Sequence, residues 1–496
     1  MKKCFILLIL AVCIYQTNGW RRFFRGRKSG IFLGEPSRNI LTRRELPKDQ
    51  WFEQILDHFD PTNDKTWKQR FYINKEFYKP GGPVFLMIGG EGEALPKWMI
   101  EGAWIRYANK TNALCFQLEH RFYGKSHPTS DISTKNLKYL SSEQALADLA
   151  YFITAMNDKY HLPYETKWIA FGGSYPGSLA AWLRLKYPHL IHGAISSSGP
   201  LLAKVDFYEY FDVVVTSLGN YSPKCVTAVQ RSFQQIEILL KHMIGQRTLD
   251  EQFKLCDPVE KSIENHLDIS NLFETIAGQF ADVVQYNKDN SPHATITIDD
   301  VCDVMMNETL GSPLTRLAEV NKLMLTKTKD ECLDYKYDKM INEMKNISWL
   351  SEQAEGGRQW TYQTCTEFGF YQTSNNLSAV FGDRFPVDFF IKQCEDIFST
   401  NFDAVELSRA VNRTNTYYGE LHPHTTNVLY IHGSIDPWHA LGLTKSNKIE
   451  LPTIFINGTA HCANMYEPRD SDFPQLVKAR EEIMQYINHL VYNTPK

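Results

Sequence analysis

The stretch "KWIAFGGSYPGSLAAWLRLKYPH", Lys167 to His189, sets one serine among three glycines, between a short apolar run and a helix-like segment. Lys167–Phe171 reads as a strand, and the residues after Pro176 read as a helix. A serine on such a strand-to-helix turn is a nucleophile elbow, usually written G-x-S-x-G. Gly172 and Ser174 fit that pattern, but position 176 is proline and the glycine arrives one place late, at Gly177. Proline would break a strand, yet it is tolerated in the first turn of a helix, where its missing N–H costs nothing. The motif is therefore compatible with an elbow. An ordinary glycine-rich turn is the competing reading.

Two later strand ends decide between them. In α/β hydrolases the reactive residues follow the chain order Ser, Asp or Glu, His. "NVLYIHGSIDPWH" puts Asp436 just past an apolar run, and "PTIFINGTAHCANM" puts His461 just past the next one. Open α/β sheets build their sites at such strand ends. The chemistry assigns attack to Ser174, proton transfer to His461, and orientation of the imidazole to Asp436. His432 and His439 flank Asp436 too closely to serve as its partner across a separate strand. His120 in "EHRFYG" reads as a structural histidine, and Asp383 and Asp388 precede the last two strands. The oxyanion is expected to meet the N–H of Tyr175 and that of Gly90 or Glu91, in the glycine-rich loop "MIGGEGE". That loop lacks the G-K-[ST] of a phosphate loop.

Working outward, "RFYINKEFY", "GPVFLMIGG", "NALCFQLEH", "KWIAFG" and "HGAISSSGP" read as strands. "SSEQALADLAYFITAMNDKY" reads as a helix, with Ser141 and Gln144 spaced as a capping box. From about residue 204 to 385 strand-like runs become scarce. "CVTAVQRSFQQIEILLKHM" carries Val226, Val229, Phe233, Ile236 and Leu240 on one helical face, and "SPLTRLAEVNKLML" is similar. The α/β pattern then returns and closes with the helix "FPQLVKAREEIMQYINHLVY". The expected fold class is α/β: an α/β-hydrolase core with an inserted, mostly helical cap. The expected boundaries are a signal peptide over 1–19, a basic N-terminal arm or pro-segment over 20–50, core over 51–203, cap over 204–385 and core again over 386–496.

The chain has 496 residues and a formal net charge of −4, which gives no reason to expect nucleic acid as a partner. "MKKCFILLILAVCIYQTNG" has the composition of a secretory leader. Its apolar run from Cys4 to Ile14 is too short to span a bilayer, no later stretch is long and apolar enough, and no membrane anchor is expected. Arg21–Arg22 and Arg27–Lys28 in the following basic stretch offer cleavage sites. Of ten cysteines, Cys4 and Cys13 fall in the leader and eight remain. In an oxidising compartment most should pair, though the connectivity is not readable from spacing. No C-x-x-C pair occurs, so no metal site is expected. Sequons at Asn109, Asn220, Asn307, Asn346, Asn376, Asn412 and Asn457 are expected glycosylation sites of the same secretory compartment.

The chain resembles the lysosomal serine peptidases comprising prolyl carboxypeptidase, dipeptidyl peptidase II and thymus-specific serine protease, most of all the last. The stretches that carry the resemblance are "GGEGE", "LEHRFYG", "FGGSYPGSLAAWLRLKYPHL", "RQWTYQTCTEFGFY", "DPWH" and "AHC", spread from about Trp51 to the end. The resemblance implies an α/β-hydrolase core with a helical cap, and the family's triad motifs fall on Ser174, Asp436 and His461. It also implies peptide substrates, often cut next to proline, with no cofactor or metal, and a secreted or lysosomal location. Trp438 and Tyr175 are expected to line a proline pocket, and Glu367 to meet a substrate terminus; packing is the alternative for each. The family pattern implies disulfides Cys225–Cys302, Cys256–Cys332 and Cys365–Cys394. Cys115 and Cys462 are left over, with Cys115 read as a buried thiol. Pro176 departs from the small residue usual there. The sequence leaves open whether amino- or carboxy-terminal residues are removed, and whether the protein is a homodimer. An esterase or lipase of the same fold and a non-catalytic binding protein remain as alternative functions.

Overall fold

The computed structural model describes residues 23–24, 27–28, 34–36, 45–288, 295–375 and 378–492. The expected signal peptide, most of the basic arm and the Asn376 sequon lie outside these residues.

Eight strands form one sheet. In chain order the first half holds β1 (Gln50–Ile55), β2 (Thr66–Asn74), β3 (Val84–Ile88), helix α1 (Ala103–Thr111), β4 (Leu114–Leu118), α2 (Ser142–Lys159), β5 (Trp168–Gly173), α3 (Tyr175–Lys186) and β6 (Gly193–Ser197). The last two strands are β7 (Val428–Gly433) and β8 (Thr453–Ile456). The sheet order is β8-β7-β6-β5-β3-β4-β2-β1. Every pairing is parallel except those of β2 with its neighbours β1 and β4. This is the α/β-hydrolase sheet.

Strands β3 to β6 are buried along their whole length because helices cover both faces. Alternate residues feed separate cores. Val84, Leu86 and Ile88 join α2, α3 and the cap on one face. Phe85 and Met87 join α1 and the C-terminal helix Pro474–Tyr492 on the other.

Local signals hold in part. Ser141 caps α2 by accepting from Gln144 N–H at 3.2 Å. The reciprocal half of the expected capping box is absent, because the Gln144 amide donates to Asp57 at 2.6 Å and accepts from His58 N–H. "RFYINKEFY" is strand only to Asn74, where the Asn74 side chain accepts from Glu76 N–H and turns the chain.

Between β6 and β7 lies a helical segment. It comprises α4 (Glu209–Tyr221), α5 (Pro223–Leu239), α6 (Met243–Phe253), α7 (His266–Gln285), α8 (Ile298–Met306), α9 (Pro313–Thr328), α10 (Tyr337–Met344), α11 (Gly357–Gln363), α12 (Val387–Ile397) and α13 (Ala404–Tyr418). Helices therefore continue past residue 385 as far as Tyr418. The segment is closed on itself by a short parallel pair, Lys204–Asp206 with Gly369–Tyr371. Disulfides Cys225–Cys302, Cys256–Cys332 and Cys365–Cys394 staple it, the pairs that the resemblance implies. Cys115 and Cys462 are free and buried. Among the described residues no helix is long and apolar enough to cross a membrane.

Arg121 of "EHRFYG" ties the core's front to α2. Its Nε donates to Asp148 at 2.6 Å, and its other nitrogens reach the carbonyls of Ile55, Leu56 and Tyr139. Both charges are buried. Removing one partner of such a pair strands the other. Arg121→Met is expected to cost about 3–5 kcal/mol in guanidinium unfolding, since it takes the guanidinium from buried Asp148 and the donors from three carbonyls.

Candidate active site

The turn after β5 is built by close backbone approach. Ser174 sits at φ 65°, ψ −136°, a conformation that costs an L-residue and persists only where its surroundings impose it. A Cβ at Gly172 would lie 1.9 Å from the Pro176 carbonyl oxygen, and one at Gly177 would lie 2.7 Å from that of Ser197. Strand, helix and the next strand end nearly touch here. Ser174 N–H donates to Ser197 O at 2.9 Å, locking the turn to β6. Tyr175 and Pro176 are the first residues of α3, so proline stands where its missing donor is harmless. Its ring instead fills the space over Gly90, where a Cβ would lie 2.3 Å from Pro176 Cγ. The late glycine and the proline are one compensated arrangement.

Asp436 follows β7, caps the turn Pro437–Leu441 by accepting from Trp438 N–H at 3.0 Å, and is fully buried. His461 follows β8 and brings its Nδ1 to 2.9 Å from Asp436 Oδ1. With Nδ1–H donating to the carboxylate, a neutral ring keeps its lone pair on Nε2. Burial works against charge on Asp436, but the His461 ring outweighs it and holds the carboxyl below its usual range. Burial likewise opposes a charged His461, and the Asp436 carboxylate overcomes it, raising the imidazole well above its ordinary pKa.

The loop of His461 meets the elbow directly. A Cβ at Gly173 would lie 3.0 Å from Cys462 Sγ and 2.3 Å from Met465 Sδ, and Cys462 N–H donates to Ser198 Oγ at 2.9 Å. The structure thus brings the Ser174, Asp436 and His461 segments to one end of the sheet. Ser174 is partly exposed, and among the described residues no hydrogen bond reaches its Oγ. Such bonds commonly tighten only when substrate binds. Tyr175, at the helix start, presents a backbone N–H without a helical acceptor. Gly90, Glu91, Gly173 and Pro176 line a cavity of about 50 Å³ beside it.

The rival residues stand outside the His461–Asp436 hydrogen bond. His432 is buried, its ring packed against Gly442, and burial lowers its pKa to about 4. Among the described residues neither it nor His439 hydrogen-bonds Asp436. Asp383 and Asp388 are exposed. The expected pocket residues are deep: Tyr175 is 2%, Glu367 5% and Trp438 6% exposed. Trp438 packs on Phe207, Tyr210 and Phe370. Glu367 accepts from Ser142 N–H and Oγ–H and from Gln363. Among the described residues no His/Cys/Asp/Glu cluster is placed to hold a metal ion.

Two residues escaped the sequence reading. Gln285, the last residue of α7, accepts at its carbonyl from His461 N–H at 2.9 Å, and its side-chain oxygen accepts from Trp438 Nε1 and Tyr210 Oη. Gln363, the last of α11, bonds Tyr175. Neutral amides carry no ionisable signal, and both belong to a segment whose docking is long-range.

The family profile described as serine carboxypeptidase S28 matches residues 54–483. The chain belongs to this family. It is a serine-type peptidase, a hydrolase, and the family points to peptide substrates. The chain is 38% identical over 503 residues to a putative serine protease, K12H4.7, of Caenorhabditis elegans, covering 98% of this chain and 97% of that one. It is 35% identical to the thymus-specific serine protease of Mus musculus, with 89% and 87% covered. It is 27% identical to the lysosomal Pro-X carboxypeptidase of Homo sapiens, with 89% and 88% covered.

For this S28 peptidase, Gly90→Ala would drive a methyl into the Pro176 ring and shift the loop that faces Tyr175. If that loop and Tyr175 supply the oxyanion donors, displacing one of them should cost about 10²–10³ in turnover. Steady-state kinetics should show a loss of that order, partly restored in Gly90→Ala/Pro176→Ala. If His461 is the base, the His461–Asp436 pair should set the acid limb of the pH profile. A neutral imidazole is needed as base, and the carboxylate raises its pKa, so kcat/KM should rise with pH through that raised value. Asp436→Asn should move the limb to lower pH while reducing turnover about 10⁴-fold.

Proposed function

We propose that Ser174, His461 and Asp436 are the nucleophile, base and orienting acid of an exopeptidase that cuts peptides next to proline. The observation that carries this reading is the strained serine turn after β5, set beside a buried His461–Asp436 hydrogen bond at the ends of β8 and β7. In this mechanism Ser174 Oγ attacks the scissile carbonyl and its proton passes to His461 Nε2. The tetrahedral oxygen accepts from Tyr175 N–H and from Gly90 or Glu91 N–H. His461 then returns the proton to the leaving amine, and water releases the acyl group by the same route.

Exopeptidase action is favoured by the helical segment over the site, whose Gln285 carbonyl touches the His461 loop and which would admit chain ends better than folded proteins. The preference for proline rests on the similarity to a Pro-X carboxypeptidase and on the aromatic wall around Trp438. Passage through the secretory pathway, to the lysosome or outside the cell, fits the three disulfides and the exposure of all six described sequon asparagines.

A fluorophosphonate probe should label the pure protein, and Ser174→Ala should abolish labelling; equal labelling of both removes Ser174 as nucleophile. Mass spectrometry of products from a proline-containing peptide library should then show one or two residues lost from one terminus. Turnover of short esters with no peptide cleaved would favour an esterase instead.

A further inference from the structure

The Tyr175 side chain is held by a buried network that spans the core and the helical segment. His120 Nδ1–H donates to the Arg121 carbonyl at 2.8 Å, so its Nε2 is an acceptor, 3.1 Å from Tyr175 Oη. Tyr175 Oη in turn accepts from Gln363 Nε2 at 3.0 Å. Gln363 is fixed at both ends of its amide: Tyr123 Oη donates to its Oε1 at 2.7 Å, and its Nε2 also donates to Glu367 Oε2 at 3.0 Å. Glu367 is anchored by Ser142 at the start of α2, N–H at 2.8 Å and Oγ at 2.5 Å, and Ser142 Oγ lies 2.8 Å from Tyr418 Oη. The Tyr175 ring is gripped further by Trp360 and Phe368, each with its centroid 5.5 Å away. Burial keeps His120 neutral, with a pKa lowered to about 4.

Gln363 immediately precedes, and Glu367 lies within, a π-helical turn, Thr364–Phe368, between α11 and the strand that closes the helical segment. Such turns recur where a side chain must be re-aimed, frequently at functional sites. Here the re-aimed carboxylate does not face solvent; it faces Gln363 and the start of α2. A buried network with every member satisfied is rigid and specific.

We infer that Gln363 is a positioning residue for the oxyanion donor: through Tyr175 Oη it fixes the first residue of α3 and so the direction of the Tyr175 N–H. The inference rests on the reading of Ser174 as nucleophile. Gln363 touches no substrate. It acts through Tyr175, and the helical segment thereby sets the geometry of the core's catalytic turn. His120 supplies the opposing contact from the core side, so the hydroxyl is held between two elements that meet only when the segment is docked.

The test compares the full-length wild type with Tyr175→Phe, Gln363→Leu and the double variant. Small donor displacements cost large factors when orientation is what catalyses. Each single variant should lose about tenfold to a hundredfold in kcat with KM changed less than about twofold. Affinity for a peptide boronate, whose tetrahedral adduct places an oxygen at the donors, should fall in parallel, while affinity for the product peptide stays constant. The double variant should be no worse than the worse single one, since both break one linkage. Tyr175→Phe keeps the ring and its packing, so it reports even where Gln363→Leu folds poorly. Folded variants with wild-type kcat and boronate affinity would overturn the inference alone, as would equal losses of boronate and product affinity. A wild type with no Ser174-dependent fluorophosphonate labelling would overturn the reading of the site and the inference with it.

Discussion

Everything at the end of the sheet that carries Ser174 depends on one steric constraint: three backbones pass within contact distance at the turn after β5. Gly172 lies against the carbonyl of Pro176, Gly177 against Ser197, and Gly199 against the backbone of Gly177 and Ser178. No side chain fits at those positions. The crowding forces Ser174 into a left-handed backbone conformation, and the hydrogen bond from its N–H to Ser197 holds it there. Strain of this kind costs about 1–3 kcal/mol and survives only in a well-packed frame. The frame is a sheet buried on both faces.

Most of the core was legible in the sequence because its central strands are largely apolar runs, with β3, β5 and β7 running into glycines. Asp436 and His461 were legible because each is a chemically distinct residue just past such a strand, in the order the fold requires. β1 was not: "QWFEQI" buries little besides Gln54, so no period of two appears in its sequence. The continuation of helices to Tyr418 was not legible because α12 and α13 lie beyond most of the cysteines that marked the insertion, and their ties are long-range: Cys365–Cys394, Tyr337 on Asp396, Asn415 on Ala203, and Tyr418 on Ser142 and Trp182. Glu367 read as a candidate for a substrate terminus. Folding instead surrounds it with Ser142 and Gln363, partners 225 and four positions away in the chain.

The helical segment is more than a roof. It touches the site through the Gln285 carbonyl on the His461 loop, the Gln285 side chain on Trp438, the Tyr286 ring against His461, and Gln363 on Tyr175. Gln285 holds the His461 loop, and Gln363 grips the residue after Ser174. A core of this type thus acquires a site whose halves are aligned by an inserted element. Its three disulfides, which join distant parts of that element, keep it from loosening independently. Electrostatics adds a further restraint: the Asp436 carboxylate, buried and held ionised by His461, fixes the ring's tautomer and orientation together.

In the proposed mechanism the Ser174 hydroxyl, the His461 ring and the N–H of Tyr175 converge on one reacting atom. A crystal structure of the protein after reaction with a phosphonate inhibitor tests it most directly. Convergence requires phosphorus bonded to Ser174 Oγ, a phosphoryl oxygen accepting from Tyr175 N–H, and His461 Nε2 turned toward the adduct. Phosphorus on any other residue, or a phosphoryl oxygen facing away from the start of α3, would contradict it.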